Sequence, residues 1–342
     1  MTRWNPSAYG RQSLREMVGD MSQVAAARPV RLTDGADDGV SAVDFHNSSG
    51  LEFTVLPSRG LDITAARFCG MSLAWRSPMG DRHPAYFEPE GLGWLRTFPG
   101  GLLTTCGYTY MGPPVRDGGA ELGLHGRAST LPAASVRCDA DWVDGEYVVS
   151  VSGKVREAVL FGDCVEMERR IWCRLGEPAI HIEDQVTNIG FQPAPLMLLY
   201  HMNYGFPVVQ PGSRLQMPPG SVEPRDAEAA DGFDRWSTFE SPTPGFREKV
   251  YYHLPEPDAN GMVEARLVYP QGFGVAICYP QAALPCLTQW KQMGQGTYTV
   301  GVEPGTAFVS GRPAERVAGR VPLLAPGETR SFSITVRVLA DK

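Results

Sequence analysis

Residues 146–188 read EYVVSVSGKVREAVLFGDCVEMERRIWCRLGEPAIHIEDQVTN. Apolar and polar residues alternate through Glu146–Val155, Val165–Arg174 and Ala179–Asn188, and turn residues such as Gly176-Glu177 separate the runs. A period of two over runs of this length marks half-buried strands. Just before them Ala133–Cys138 reads the same way, with Asp144-Gly145 as the turn into Glu146. Four strands at this spacing predict an antiparallel sheet.

The same pattern extends in both directions. Upstream, Val40–Phe45 and Leu51–Leu56 alternate around the turn Asn47-Ser48-Ser49-Gly50, and Ile63–Phe68 faces Ser72–Trp75 across Cys69-Gly70. Downstream, Leu196–Tyr204 reads as a buried strand. Further strands are expected over Val250–His253, Met262–Tyr269, Phe273–Tyr279, Cys286–Trp290, Tyr298–Glu303 and Thr329–Val338. One helix is predicted over Gln12–Ala26, where Leu14, Met17, Val18, Met21 and Val24 share a face, inside an N-terminal extension of residues 1–30. Residues 79–119 are rich in Gly, Pro and aromatics and show no period, as a functional or self-packed segment would. Residues 210–244 are polar, Pro-rich and acidic, and read as a long surface excursion. The expected fold class is all-β: a large antiparallel β-sandwich of two packed sheets and roughly 15–20 strands, with a short N-terminal helix. No repeat or composition break divides it, so residues 1–342 are expected to form a single domain.

Composition agrees. The 38 Gly and 29 Pro among 342 residues punctuate the chain too often for a helical bundle. A net charge of −7 gives no attraction for nucleic acid or an anionic membrane. No apolar run approaches the ~18 residues of a membrane span, and residues 1–20 have no signal-type apolar core, so a cytoplasmic protein is expected. The seven cysteines are scattered with no C-x-x-C pair, which excludes a zinc ribbon or redox motif, and most read as buried thiols. There is no G-x-G-x-x-G after a strand, no Walker A loop, no G-x-S-x-G elbow and no H-E-x-x-H. No cofactor or metal is expected. Exposed sheet edges would suit a homodimer.

A few residues stand in positions suited to chemistry. His125 lies in ELGLHGRAS, where flanking glycines allow close backbone approach to a ligand, and Arg127 adds a cation beside it. His201 leaves the apolar run of PLMLLYHMNYGFP, with Asn203 two residues on and facing the same side of a strand. Glu303 ends the strand of YTVGVEPGT before a sharp turn, where partial desolvation would raise its pKa toward that of a general base. Trp290 and Lys291 in TQWKQ could form a carbohydrate platform or belong to the core. Arg59 in LPSRGLDI could bind an anion or form a structural ion pair.

In this order LPSRGLDI, GGLLTTCG, GLHGR, LLYHMNYGFP and the strand-end Glu303 resemble the aldose 1-epimerase (galactose mutarotase-like) superfamily, and within it a bacterial branch. The resemblance spans about Val40 to Val338. It implies a β-sandwich with an open groove and cofactor-free interconversion of the anomers of a free sugar by acid–base ring opening. By the same resemblance Glu303 matches the general base, His201 the acid, and His125 a second histidine near the ring oxygen. The family's substrate-binding aspartate falls closest to Glu248 in FREKVYY, with Asp234 in GFDRW as the competing position. Arg127, Trp290 and Lys291 would add groove contacts. If Arg59, Arg127 and Lys291 converge, the expected substrate is instead an acidic sugar or a sugar phosphate. Two other readings use the same fold: a non-catalytic sugar-binding or sensing protein, and isomerase or lyase chemistry on a modified sugar by the same His/Glu pair.

Overall fold

The computed structural model describes Pro6 and residues 9–340. These residues form 23 strands, most of them in three sheets of eight, six and five strands. All pairings within these three sheets are antiparallel. The eight-stranded sheet runs in the order Arg214–Gln216, Met262–Val268, Gly274–Pro280, Thr329–Leu339, Ala179–Asn188, Cys164–Arg174, Glu146–Ala158 and Ala134–Val143. The six-stranded sheet runs Gly220–Pro224, Lys249–Pro255, Cys286–Met293, Tyr298–Gly305, Met197–Tyr204 and Thr104–Tyr108. Ala26–Arg31, Ser41–His46, Leu51–Leu56, Asp62–Phe68 and Met71–Ser72 form the five-stranded sheet.

Alternation places one hydrophobic core between these sheets. Val149, Ile171 and Ile182 from the eight-stranded sheet share a buried cluster with Phe53 and Val55 from the five-stranded sheet and Leu198, Met202 and Val302 from the six-stranded one. The strand Met197–Tyr204 is buried on both faces. Its even-numbered residues Leu198, Tyr200, Met202 and Tyr204 join that core. Met197 and Leu199 point the other way, into a second cluster built on Trp94 and Phe98. His201 and Asn203 follow in that second phase.

Several expectations change, the first being that three large sheets and 23 strands form among the described residues where the sequence predicts two sheets and roughly 15–20 strands. The N-terminal helix is only Arg11–Met17; a 3-10 turn follows at Met21–Gln23, and the chain joins the five-stranded sheet from Ala26. The backbone is already extended at Val18, and Asp20, whose side chain accepts from the Ser22 backbone N–H, caps the turn that follows. Residues 210–244 lie mostly at the surface but are not structureless: they supply edge strands to both large sheets, and Leu215 and Phe239 are buried. Strands of three to five residues are too short to show a period. The unpatterned stretch 79–119 contains the strand Thr104–Tyr108, fully buried and therefore without alternation. Three cysteines are buried, Cys106, Cys173 and Cys286; Cys138, Cys164 and Cys278 are half-buried and Cys69 is exposed. No helix among the described residues is long and apolar enough to cross a membrane.

Arg169 sits in the core-facing phase of its strand with no exposed surface. It donates to both carboxylate oxygens of Asp184, at 2.9 and 2.7 Å, to Thr105 Oγ1 at 2.8 Å, and to Asp62 Oδ1 at 3.3 Å. Tyr200 Oη donates to the same Asp184 at 2.7 Å. The partners lie on strands of all three sheets. Removing one member of a buried, paired network leaves uncompensated charge. Arg169→Met is therefore expected to lower unfolding stability by about 3–5 kcal/mol in urea titration, and a loss below about 1 kcal/mol would contradict this account.

Candidate active site

The outer face of the six-stranded sheet carries a row of side chains set by register. Tyr252 pairs with Thr288, and Thr288 pairs with Glu303. The pairs Leu199–Gly305 and Met202–Val302 put His201 opposite Glu303, and His201 in turn pairs with Thr104. Directly opposed residues on one face are close neighbours. The next row holds Trp290 opposite Gly301, and Gly301 opposite Asn203. A Cβ at Gly301 would collide with Glu303 Oε1, so the carboxylate occupies the space that glycine leaves.

Tyr252, Thr288, Glu303, His201 and Trp290 of these rows form the floor of a cavity of about 650 Å³. His201 Nε2 lies 3.3 Å from Glu303 Oε1. Both groups are almost fully buried, at 5% and 2% exposure. Trp94, Phe98 and Trp290 pack around His201, with ring centroids 6.3, 5.3 and 5.6 Å away. The His125 ring stands perpendicular to His201 at 5.8 Å. His125 reaches this place through a left-handed backbone, φ +56°, followed by Gly126 at φ +72°. The expected close approach of this loop is thus carried by the histidine as well as the glycine.

Burial sets the protonation of the site. It pushes His201 down to about 3, with the neighbouring His125 ring acting in the same direction. It pushes His125 down to about 4. Glu303 is raised well above the usual carboxylate range by burial first and by the charge of Glu248 second, against the pull of Arg225. Both histidines are therefore neutral at pH 7 and the Glu303 carboxyl holds its proton unusually firmly. Buried atoms His125 Nδ1, His201 Nδ1, Thr288 Oγ1 and Glu303 Oε1, all on cavity-lining residues, have no hydrogen-bond partner among the described residues. Such atoms are available to a ligand.

Of the residues singled out in the sequence, His125, His201, Glu303, Glu248 and Trp290 line this cavity together. Glu248 accepts from Trp290 Nε1 at 2.8 Å and from Arg225 Nη2 at 3.1 Å, so its carboxylate is held in place. Asp234, the competing position, is exposed beside Arg235 and does not line the cavity. The structure places four others outside it. Arg59 is buried and donates to the carbonyls of Arg82 and Thr97, which frame the segment bearing Trp94. Arg127 faces Glu157 at 3.7 Å. Lys291 is buried against Glu240 at 2.8 Å, on the opposite face from Trp290. Asn203 donates to the carbonyls of Gly101 and His201 and supports the histidine strand from within.

Sequence reasoning does not find Arg225, Tyr252 or Thr288. Tyr252 and Thr288 fall in the same alternation phase as Val250 and Trp290, and that phase is the signal that could have found them. Arg225 follows a five-residue strand in the stretch that reads as a surface excursion, and nothing local marks it. Among the described residues no group of three or more His, Cys, Asp or Glu side chains is arranged to hold a metal ion.

No curated protein matches the chain. Among solved structures, a "putative aldose 1-epimerase" from Klebsiella pneumoniae superposes with a TM-score of 0.89 at 29% identity, over 96% of this chain and 86% of the other. A galactose mutarotase-like protein from Clostridium acetobutylicum superposes with a TM-score of 0.62 at 14% identity, over 92% and 99% of the two chains. A galactose 1-epimerase from Lactobacillus acidophilus gives 0.60 at 12% identity, over 93% and 100%. At the last two identities the likeness is one of fold, and the architecture is the galactose mutarotase-like sandwich that the sequence motifs resemble. Residues 37–338 match the family described as Domain of unknown function (DUF4432), and the protein belongs to that family.

Proposed function

We propose that the protein is an aldose 1-epimerase-like enzyme that interconverts the anomers of a free, uncharged sugar, with Glu303 and His201 as its acid–base pair. The observation that carries this reading is the 3.3 Å approach of His201 Nε2 to Glu303 Oε1 at the floor of a cavity of sugar size. The 29% identity to the Klebsiella pneumoniae protein supports the same reaction class.

The reaction needs one proton on the pair. With that proton on His201, the Glu303 carboxylate takes the proton of the anomeric hydroxyl while His201 gives its own to the ring oxygen. The bond from C1 to the ring oxygen breaks and C1 becomes a carbonyl. Glu303 is left protonated and His201 neutral. Rotation about the C1–C2 bond turns the other carbonyl face to the ring oxygen's hydroxyl, and the reverse transfers close the ring as the second anomer. Burial stabilises the form with the proton on Glu303, so the opened state is not penalised by isolated charges.

The charge of the cavity favours an uncharged sugar. Arg59, Arg127 and Lys291 do not converge, and each is engaged elsewhere. Arg225, the only Lys or Arg among the cavity-lining residues, is paired with Asp226 at 2.8 Å and Glu248 at 3.1 Å.

Glu303→Gln keeps the shape of the side chain and removes the base. Anomer exchange followed by saturation-transfer NMR on a panel of aldoses is expected to fall by about 10²–10⁴-fold, with sugar binding retained. Binding without exchange in the unaltered protein would point to a sugar-binding protein. The acid limb of kcat/KM reports the second proton arriving on the pair, and His201 takes it up only near 3 instead of at the ordinary 6.5. The profile should stay flat from neutral pH down to about 5, and an acid limb near 6.5 would contradict the buried pair. Gly301→Ala should displace the Glu303 carboxylate without moving backbone, because the colliding atom is the end of a flexible side chain. Its expected signature is a fall in kcat of at least about tenfold with an unchanged melting temperature.

A further inference from the structure

The cavity has a polar floor and an apolar rim, and the two come from different parts of the chain. The floor is the six-stranded sheet with its flanking residues, which presents Arg225, Glu248, Tyr252, Thr288, Glu303 and His201. The rim is made by loops. Leu92 and Leu95 flank and occupy the 3-10 turn Gly93–Arg96, and they stay 60% and 49% exposed while lining the cavity. Pro113, Pro114, Leu124 and Val309 continue this rim. Apart from Arg225 and Glu248 at the strand ends and the indole of Trp94, the polar side chains that loops bring are His125 and Ser310, and the Ser310 hydroxyl is bonded to Tyr252.

A free sugar carries hydroxyls around its whole ring. Those turned to the floor find donors and acceptors. One turned to Leu92 and Leu95 meets no donor or acceptor on those side chains and leaves their apolar surface wet, whereas a carbon in its place would bury apolar surface on both sides. Two leucines half open to solvent at the mouth of a catalytic-type cavity are the surface such a carbon would cover.

We propose that the cavity takes a sugar bearing an apolar substituent, a deoxygenated or alkylated position, held against the rim at Leu92 and Leu95 while the ring lies on the sheet. The proposal rests on the carbohydrate reading above and names the substrate class within it.

The test is calorimetric binding to Glu303→Gln protein, which needs no turnover. The probes are D-glucose, D-galactose and L-mannose, each with its 6-deoxy, 2-deoxy and 6-O-methyl derivative. At least one derivative is expected to bind tighter than its parent by about fourfold for each carbon buried. In a Leu92→Ser/Leu95→Ser variant that ratio should fall to about one; both side chains are at the surface, and an unchanged melting temperature verifies folding. Parents that bind as well as all their derivatives, or a preference that survives the double substitution, overturn the proposal. Anomer exchange of the same sugars by the unaltered protein separates it from the wider reading. Exchange without apolar preference sinks this inference alone; apolar preference without exchange sinks the epimerase reading alone; binding of no sugar sinks both.

Discussion

A single guanidinium with no exposed surface holds three sheets to one another. A cation cannot stay in an apolar core unless carboxylates and other oxygen acceptors reach it from around it. For Arg169 those groups come from Asp184 on a neighbouring strand, Asp62 on the five-stranded sheet and Thr105 on the six-stranded one. Tyr200, also on the six-stranded sheet, closes the network on Asp184. Satisfying all of them at once requires the three sheets to lie in one relative position. Apolar contacts alone are less demanding, because they tolerate sliding as long as area is buried.

The catalytic candidates inherit that position. Tyr200 and Thr105 face the core, and their chain neighbours His201 and Thr104 pair with each other toward the cavity. Fixing one face of these strands therefore fixes the other. The register then brings Glu303, Thr288 and Tyr252 into line with His201. The rings of Trp94 and Phe98 dry this row from above, which is what separates the pKa of the pair from solution values. Arg59 contributes at one remove, since its bonds to Arg82 and Thr97 brace the segment that delivers those rings.

Much of this is legible in the amino-acid sequence. Alternation in residues 146–188 announces the eight-stranded sheet, and the motif order points to the fold and to His125, His201, Glu303, Glu248 and Trp290. The central network leaves a trace too. Arg169 and Asp184 occupy the apolar phase of their strands, where a charge needs a partner. Shortness and double burial hide the rest. Thr104–Tyr108 is covered on both faces, and Arg214–Gln216 and Gly220–Pro224 are too brief for any period. Arg59, Arg127 and Lys291 all qualify for the groove on sequence, because a basic side chain looks the same there whether it meets a ligand, a carbonyl or a buried carboxylate.

Local states are written in the chain itself: which runs are strands, where the backbone turns, and which face of each strand is apolar. Those follow from side-chain period and from Gly and Pro, and both act over a few residues. Which strands become neighbours, and in what register, is set only when the sheets assemble. That assembly brings His201 to 3.3 Å from Glu303, puts Arg225 in the cavity with Glu248, and rings its mouth with leucines. The physical reason is that long-range pairing and the satisfaction of buried charge depend on residues about 100 positions apart, as Arg169 and Asp62 are, and no local pattern reports on them.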